Sequence, residues 1–337
     1  MRPIADAHND LLMELAFRAG EDNPFATHWL GQLRDGGVAL QVCPVSAHFE
    51  QLPEAALRGA LEQLVACRRA VRENPDAVAL VRDRGELAAA RESGLIALVL
   101  SMEGAEPLGY SIDLAEVFWE LGVRMFGLTW NRRNPFADGL GEERAGGLSR
   151  IGRGLVDRLC ELGAAIDLAH ASERTFADTL DRAAGRAPIL VSHAGCRAVH
   201  DTSRNLSDEQ LRALADADGI LGIIALPPAI DPQRPTVERV VDHVDHAVAT
   251  IGVERVALGA DFIRQVVLAG AARKPPDSLR PEGMGLDFSI DGLEGPAGFP
   301  LLVEALVRRG YTDGEVDAIV SDNLTAFLER SLPGVAA

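Results

Sequence analysis

The chain has 337 residues, 47% of them hydrophobic, a formal net charge of −17 and a single lysine, Lys274. That length and apolar share suit one α/β barrel with a substantial core, while the negative charge would repel nucleic acid and no apolar run approaches the roughly 20 residues of a membrane helix. One lysine, in the loop Arg273-Lys274-Pro275-Pro276, nearly removes Schiff-base and pyridoxal chemistry, and also a carboxylated lysine as a bridge between two metals.

The first apolar stretch, Ile4–His8, reads as a strand that runs into Ala7-His8-Asn9-Asp10. The residues before it lack the apolar stretch of a signal peptide, so a cytoplasmic protein is expected. Further strands are predicted over Val38–Val45, Ile96–Met102, Met125–Thr129, Ala164–Leu168, Ile189–Ser192, Ile220–Ile224 and Val256–Gly259. Between them helical periodicity marks Ala55–Val71, Asp113–Leu121, Gly154–Leu162, Glu173–Ala183, Asp208–Ala215 and Val237–Ile251. Ser172 and the box Ser207-Asp208-Glu209-Gln210 supply helix N-caps. Eight strand–helix units closing on themselves predict a TIM-like (β/α)8 barrel, one domain over 1–337. A Gly/Pro-rich stretch, 270–300, reads as a long loop over the active face, followed by terminal helices Leu301–Arg309 and Asp313–Glu329 within 301–330.

The metal-capable residues fall just past these strands. His8 and Asp10 follow the first, Glu103 the third, His170 and His193 two neighbouring ones, and Asp261 the last. Side chains at the C-terminal ends of parallel strands converge in space. In extended chain His8 and Asp10 face the same side, and an imidazole with a carboxylate suits zinc. Glu103 ends a purely apolar strand, where a carboxylate is costly unless paired or metal-bound; it can bridge two cations, or cap a helix near Glu106. Asp261, a carboxylate not needed as a ligand, is placed to carry a proton. Five ligand-type residues and one spare carboxylate make a two-metal hydrolase site the leading reading, with a hydroxide between the cations as nucleophile.

The remaining candidates are weaker. Arg204, after the sixth strand, offers a planar fork either for a substrate carboxylate or for a surface salt bridge. His243 and His246 lie on a helix outside the barrel and read as packing or surface residues. Cys43, Cys67, Cys160 and Cys196 form no CxxC pair, so a thiolate zinc site is not expected, and Cys196, three residues after His193, reads as buried filler. No GxSxG elbow and no phosphate-binding glycine loop occurs.

In this order the motifs Asp6-Ala7-His8-Asn9-Asp10, Glu103-Gly104, Leu128-Thr129-Trp130-Asn131, Ile166-Asp167-Leu168-Ala169-His170, Val191-Ser192-His193, Ser203-Arg204-Asn205-Leu206 and Gly259-Ala260-Asp261-Phe262 resemble those of the renal (membrane) dipeptidase family of zinc peptidases, across almost the whole chain. The resemblance implies a (β/α)8 barrel with two zinc ions bridged by Glu103 and a water or hydroxide. His8, Asp10 and Glu103 would hold one, and Glu103, His170 and His193 the other. Asp261 would be the acid/base, Arg204 would hold the terminal carboxylate of a small dipeptide, often one with a D residue there, and Trp130 and Asn131 would contact substrate. A soluble bacterial-type member without membrane or nucleic-acid partners, alone or as a homodimer, is implied. Two departures stand out: Trp130 replaces the substrate-binding His of mammalian members, and the family's Asp-Phe-Asp-Gly is Asp261-Phe262-Ile263-Arg264 here. The competing readings are an amidohydrolase of the same site acting on another small amide, lactam or ester, and a barrel that binds metal or ligand without turnover.

Overall fold

The computed structural model describes residues 2–270 and 289–334. Lys274 and most of the expected 270–300 loop lie outside them. The described residues form nine strands: β1 (Ile4–Asp6), β2 (Val38–Ser46), β3 (Val78–Val81), β4 (Ile96–Glu103), β5 (Val123–Gly127), β6 (Ala165–Asp167), β7 (Ile189–Ala194), β8 (Ile220–Ile223) and β9 (Val256–Leu258). β1 pairs with β2 and β9, β2 with β4, and β4 through β9 follow in order, all parallel. Eight strands therefore close a (β/α)8 barrel.

The ninth strand corrects the expected count. β3 pairs only with the first half of β4, from Val78↔Ile96 to Val81↔Val99, and β5 takes over that edge at Leu100–Met102. A four-residue apolar run that ends in no functional side chain leaves little mark in the sequence. The other eight strands lie where predicted, though several stop early: β1 ends at Asp6, β8 at Ile223 and β9 at Leu258. His8, Asp10 and Asp261 thus leave from the turns above the strands. The first terminal helix covers Phe299–Arg309, and the predicted Asp313–Glu329 is divided into a short helix Asp313–Asp317, a π-helical turn Ala318–Asp322 and a last helix Asn323–Ser331. Ser172 Oγ accepts from Thr175 N at 3.1 Å, and Ser207 and Gln210 form the capping box.

Period-two alternation in β4 explains the position of its last residue. Leu98, Leu100 and Met102 pack outward against helices, whereas Ala97 and Val99 belong to the interior cluster with Ala5, Met125, Ala165, Leu190 and Ala257. Glu103 shares the inward parity of Ala97 and Val99. The interior is narrow, built largely of alanines, and is closed at the bottom by Leu324, Phe327 and Leu328 from the last helix. Only the top is left for chemistry.

A local irregularity shapes that top. The register of β7 against β8 shifts between Val191 and Ala194, a bulge of the kind that re-aims a side chain. It brings the Ser192 carbonyl against two glycines. A Cβ on Gly222 would fall 1.9 Å from Ser192 O, and one on Gly259 1.8 Å from it. Because that atom is backbone just before His193, neither glycine can be replaced without moving β7. Gly259→Ala is expected to cost about 1–3 kcal/mol in urea unfolding and to weaken metal binding through His193; wild-type stability in that variant would refute the tight approach.

Candidate metal centre and active site

Three imidazoles and three carboxylates meet at the mouth of the barrel. Glu103 Oε1 lies 3.0 Å from His170 Nε2, 3.5 Å from His193 Nε2 and 3.6 Å from His8 Nε2. His8 Nε2 is also 4.0 Å from Asp10 Oδ1 and 3.8 Å from Asp261 Oδ1, and His193 Nε2 is 3.9 Å from Asp261 Oδ2. Two sets have ligand atoms close enough to share an ion: His8, Glu103 and His193, and His8, Asp10 and Asp261. All five sequence-predicted ligands and Asp261 are brought together, and Asp261 stands nearer the ligand set than its expected role requires.

The ring orientations fit a cation. His170 Nδ1 donates to Asn131 Oδ1 at 2.7 Å, which leaves a lone pair on His170 Nε2. Ser192 Oγ lies 2.7 Å from His193 Nδ1. The two Nε2 atoms then face each other at 2.9 Å. In a tetrahedral zinc site with bonds of about 2.0–2.1 Å, neighbouring ligand atoms stand about 3.3 Å apart; the triangle of Glu103, His170 and His193 has edges of 3.0, 3.5 and 2.9 Å. His8 Nε2 and Asp10 Oδ1 are buried with no hydrogen-bond partner in the protein. Orphaned polar atoms of this kind are rare in interiors and point to an absent ligand. The donor set, imidazole nitrogens and carboxylate oxygens, is that of zinc.

Burial decides the electrostatics. It pushes Glu103 well above the usual carboxylate range, with Asp10 and Asp261 adding repulsion. It raises Asp10 to about 6, and raises Asp261, beside Asp10, to about 8. It also holds the imidazoles neutral: His8 falls to about 3, and His170 and His193 lie well below their usual value, with Arg204 adding to the effect.

Arg204 is the nearest cation. One guanidinium nitrogen lies 3.2 Å from His170 Nε2, so the structure removes the choice between site and surface in favour of the site. The Trp130 ring centroid is 6.1 Å from that of His170, and the Arg132 guanidinium stands 5.7 Å from the indole. Asn131 Oδ1 is committed to His170, so any contact with substrate falls to its amide NH2. His243 and His246 lie outside the centre, as expected. Buried His243 accepts from Cys196 N and faces Ile230 O, and His246 pairs with Asp208.

Two residues had no role in the sequence reading. Asp6 accepts from His8 N at 3.4 Å, Gln41 Nε2 at 2.9 Å and Ala260 N at 2.9 Å. Asp167 accepts from Ala169 N at 3.0 Å and Ser192 N at 2.9 Å. Each carboxylate pins the residue before or at a candidate ligand on its own strand and the residue before a second functional side chain on the next. The available signal was an Asp two or three residues ahead of a strand-end His, in Asp6-Ala7-His8 and Asp167-Leu168-Ala169-His170.

Comparison with known proteins agrees with this geometry. The profile of the membrane dipeptidase family, peptidase family M19, matches residues 1–271. The chain belongs to that family. Dipeptidase verJ of Clonostachys rogersoniana is 29% identical over 314 residues, covering 89% of this chain and 74% of that protein. Dipeptidase 3 of Rattus norvegicus is 30% identical over 337 residues, covering 96% of this chain; the chain spans 64% of the length of that protein. A metallo peptidase from Rhodobacter sphaeroides, solved with a phosphinate mimic of the dipeptide L-Ala-D-Ala, shares the fold with a TM-score of 0.84, 23% identity and coverage of 98% and 99% of the two chains. An amidohydrolase from Pseudomonas aeruginosa does so with a TM-score of 0.78, 22% identity and coverage of 98% and 96%. Among the described residues no helix is long and apolar enough to cross a membrane.

The raised carboxyls give a pH prediction. Asp261 titrates near 8 when folded against 3.8 ordinarily, so the folded state binds the extra proton and stability falls as pH rises toward that value. In metal-free protein the urea midpoint is expected to drop between about pH 7.5 and 8.5, above the range in which unfolded histidines titrate. Asp261→Asn should flatten this slope, and added zinc should raise the midpoint most at the upper end. A slope unchanged in the variant would remove Asp261 as its source.

Proposed function

We propose that the protein is a binuclear zinc dipeptidase that hydrolyses the peptide bond of small dipeptides, including those with a D residue at the C-terminal position. The observation that carries this reading is the convergence of His8, Asp10, Glu103, His170 and His193 with His8 Nε2 and Asp10 Oδ1 left unpartnered, in a chain of the membrane dipeptidase family. The dipeptide mimic held by the Rhodobacter relative supports the substrate class.

His8, Asp10 and Glu103 would hold one zinc, and Glu103, His170 and His193 the other. Glu103 is the residue that would serve both, because one of its oxygens lies within 3.6 Å of all three imidazoles. When bound, zinc polarises a carbonyl and lowers the pKa of water from 15.7 to about 7, which makes a nucleophile available at neutral pH. The protein's own groups do the rest. Burial keeps the three imidazoles neutral and available as ligands. Asp261, a buried carboxylate 3.8 Å from His8 and 3.9 Å from His193, takes the proton of the attacking water and returns it to the leaving amine. Arg204 holds the free carboxylate of the substrate. A fixed carboxylate site beside the centre admits one residue beyond the scissile bond, which selects dipeptides by length. Trp130, with one N–H donor and no charge, forms a flat wall where a histidine would titrate.

Two substitutions separate metal binding from proton transfer. Glu103→Gln should bind about one zinc or none by elemental analysis. Asp261→Asn should keep its zinc and lose kcat by about 10²–10⁴-fold. Two tightly held ions in the first variant would remove the bridge, and near-wild-type turnover in the second would remove the proton carrier.

The carboxylate role has its own check. Arg204→Ala should weaken kcat/KM for a free dipeptide by about 2–4 kcal/mol, and far less for the same dipeptide amidated at its C-terminus. Equal losses on both would sink the role.

A further inference from the structure

Next to the centre the barrel top opens into a cavity of about 530 Å³ whose inner rim is formed by His170 and Arg204. It therefore begins where the proposed carboxylate-binding group stands, 3.2 Å from a metal-facing nitrogen. Its floor is apolar, with Leu168, Ala177, Val191 and Leu206. Charged side chains stand on its wall, and their pairing is uneven. Arg197 is bound to Glu173 at 2.5 Å and Arg174 to Asp178 at 2.9 Å, so both cations are neutralised locally. Glu142 Oε1 accepts from the Arg133 backbone N at 3.0 Å, but its only cationic neighbour is the Arg133 guanidinium at 3.8 Å, which is already committed to Asp138 at 2.6 Å. Glu143, also on the wall, has no ion pair or hydrogen bond among the described residues. Negative charge is in surplus over an apolar floor, on a protein of net charge −17.

We propose that this cavity receives the side chain of the dipeptide's C-terminal residue and selects a long one that ends in a cation, lysine or arginine. The inference rests on the dipeptidase reading of the site. Its stereochemical basis is direct: the carboxylate held by Arg204 and the C-terminal side chain leave the same Cα, so that side chain enters the space behind Arg204. The aliphatic stem of lysine or arginine covers the floor while the charged head reaches Glu142 and Glu143. The overall negative charge raises the local concentration of cationic substrates in the same sense. A carboxylate-bearing side chain would meet the surplus acids unpaired.

The test is hydrolysis of an Ala–Xaa series with Xaa alanine, leucine, glutamate and lysine, in both configurations of Xaa, by the zinc-loaded enzyme. Lysine should exceed leucine in kcat/KM by about fivefold or more and glutamate should be poorest. In Glu142→Gln/Glu143→Gln the lysine-to-leucine ratio should fall toward one, mainly through KM. The reversed Xaa–Ala series should not respond. Leucine or glutamate equal to lysine, or a ratio unmoved by the double substitution, overturns the proposal. Calorimetric binding of Ala–Lys and Ala–Leu to zinc-loaded Asp261→Asn reads the preference without turnover. A lysine preference in binding with no cleavage of any member by wild type keeps the pocket and removes the dipeptidase reading. Cleavage without preference does the reverse, and neither binding nor cleavage removes both.

Discussion

Three buried carboxylates in one small space are the constraint on which the rest of this structure depends. Asp10, Glu103 and Asp261 lie within reach of the same imidazoles at a barrel mouth from which water is largely excluded. Negative charges in such a place repel one another strongly; burial raises all three, and repulsion from neighbouring carboxylates adds to it at Glu103 and Asp261. The neutral imidazoles offer no counter-charge, and Arg204 supplies one positive charge against three acids. Divalent cations would satisfy the charge, the lone pairs and the orphaned atoms at once.

A site under such repulsion has to be held rigidly, and the barrel does so with backbone rather than with further side-chain charge. Asp6 links the top of β1 to the residue preceding Asp261, and Asp167 links the top of β6 to the residue preceding His193. The bulge in β7, given room by Gly222 and Gly259, turns His193 toward the others. His170 and Asp261 both adopt left-handed backbone, with φ of 62° and 59°. For residues other than glycine that costs on the order of 1–3 kcal/mol and persists only where surrounding structure enforces it. Asn23, Ala184 and Asp218 share this conformation outside the centre, so it is not confined to the candidate site.

Arg204 joins the two halves of the chemistry. It adds to burial in opposing protonation of His8, His170 and His193. The same guanidinium touches His170 and lines the neighbouring cavity, so the candidate centre and the cavity share one residue.

Much of this was legible before any coordinates. Eight strands followed from short apolar runs, and the candidate site residues from a His or carboxylate placed just past five of them; Glu103 stood out because it ends a purely apolar run. Those features are local, set by the period of the strand and by the cost of an unpaired carboxylate after an apolar run. The tertiary structure decided what depends on distant partners. β3 was missed because it exists only as an edge to the first half of β4. The role of Asp6 could not be read because its partner, Ala260, is 254 residues away and offers a backbone N–H, which every residue type carries. Arg204 was undecided until folding set it 3.2 Å from His170, and the surplus of Glu142 and Glu143 emerged only from which arginines were already taken. Periodicity determines the elements and what they carry; closure of the barrel determines which groups meet, because only closure fixes the distances on which charge, hydrogen bonding and coordination depend.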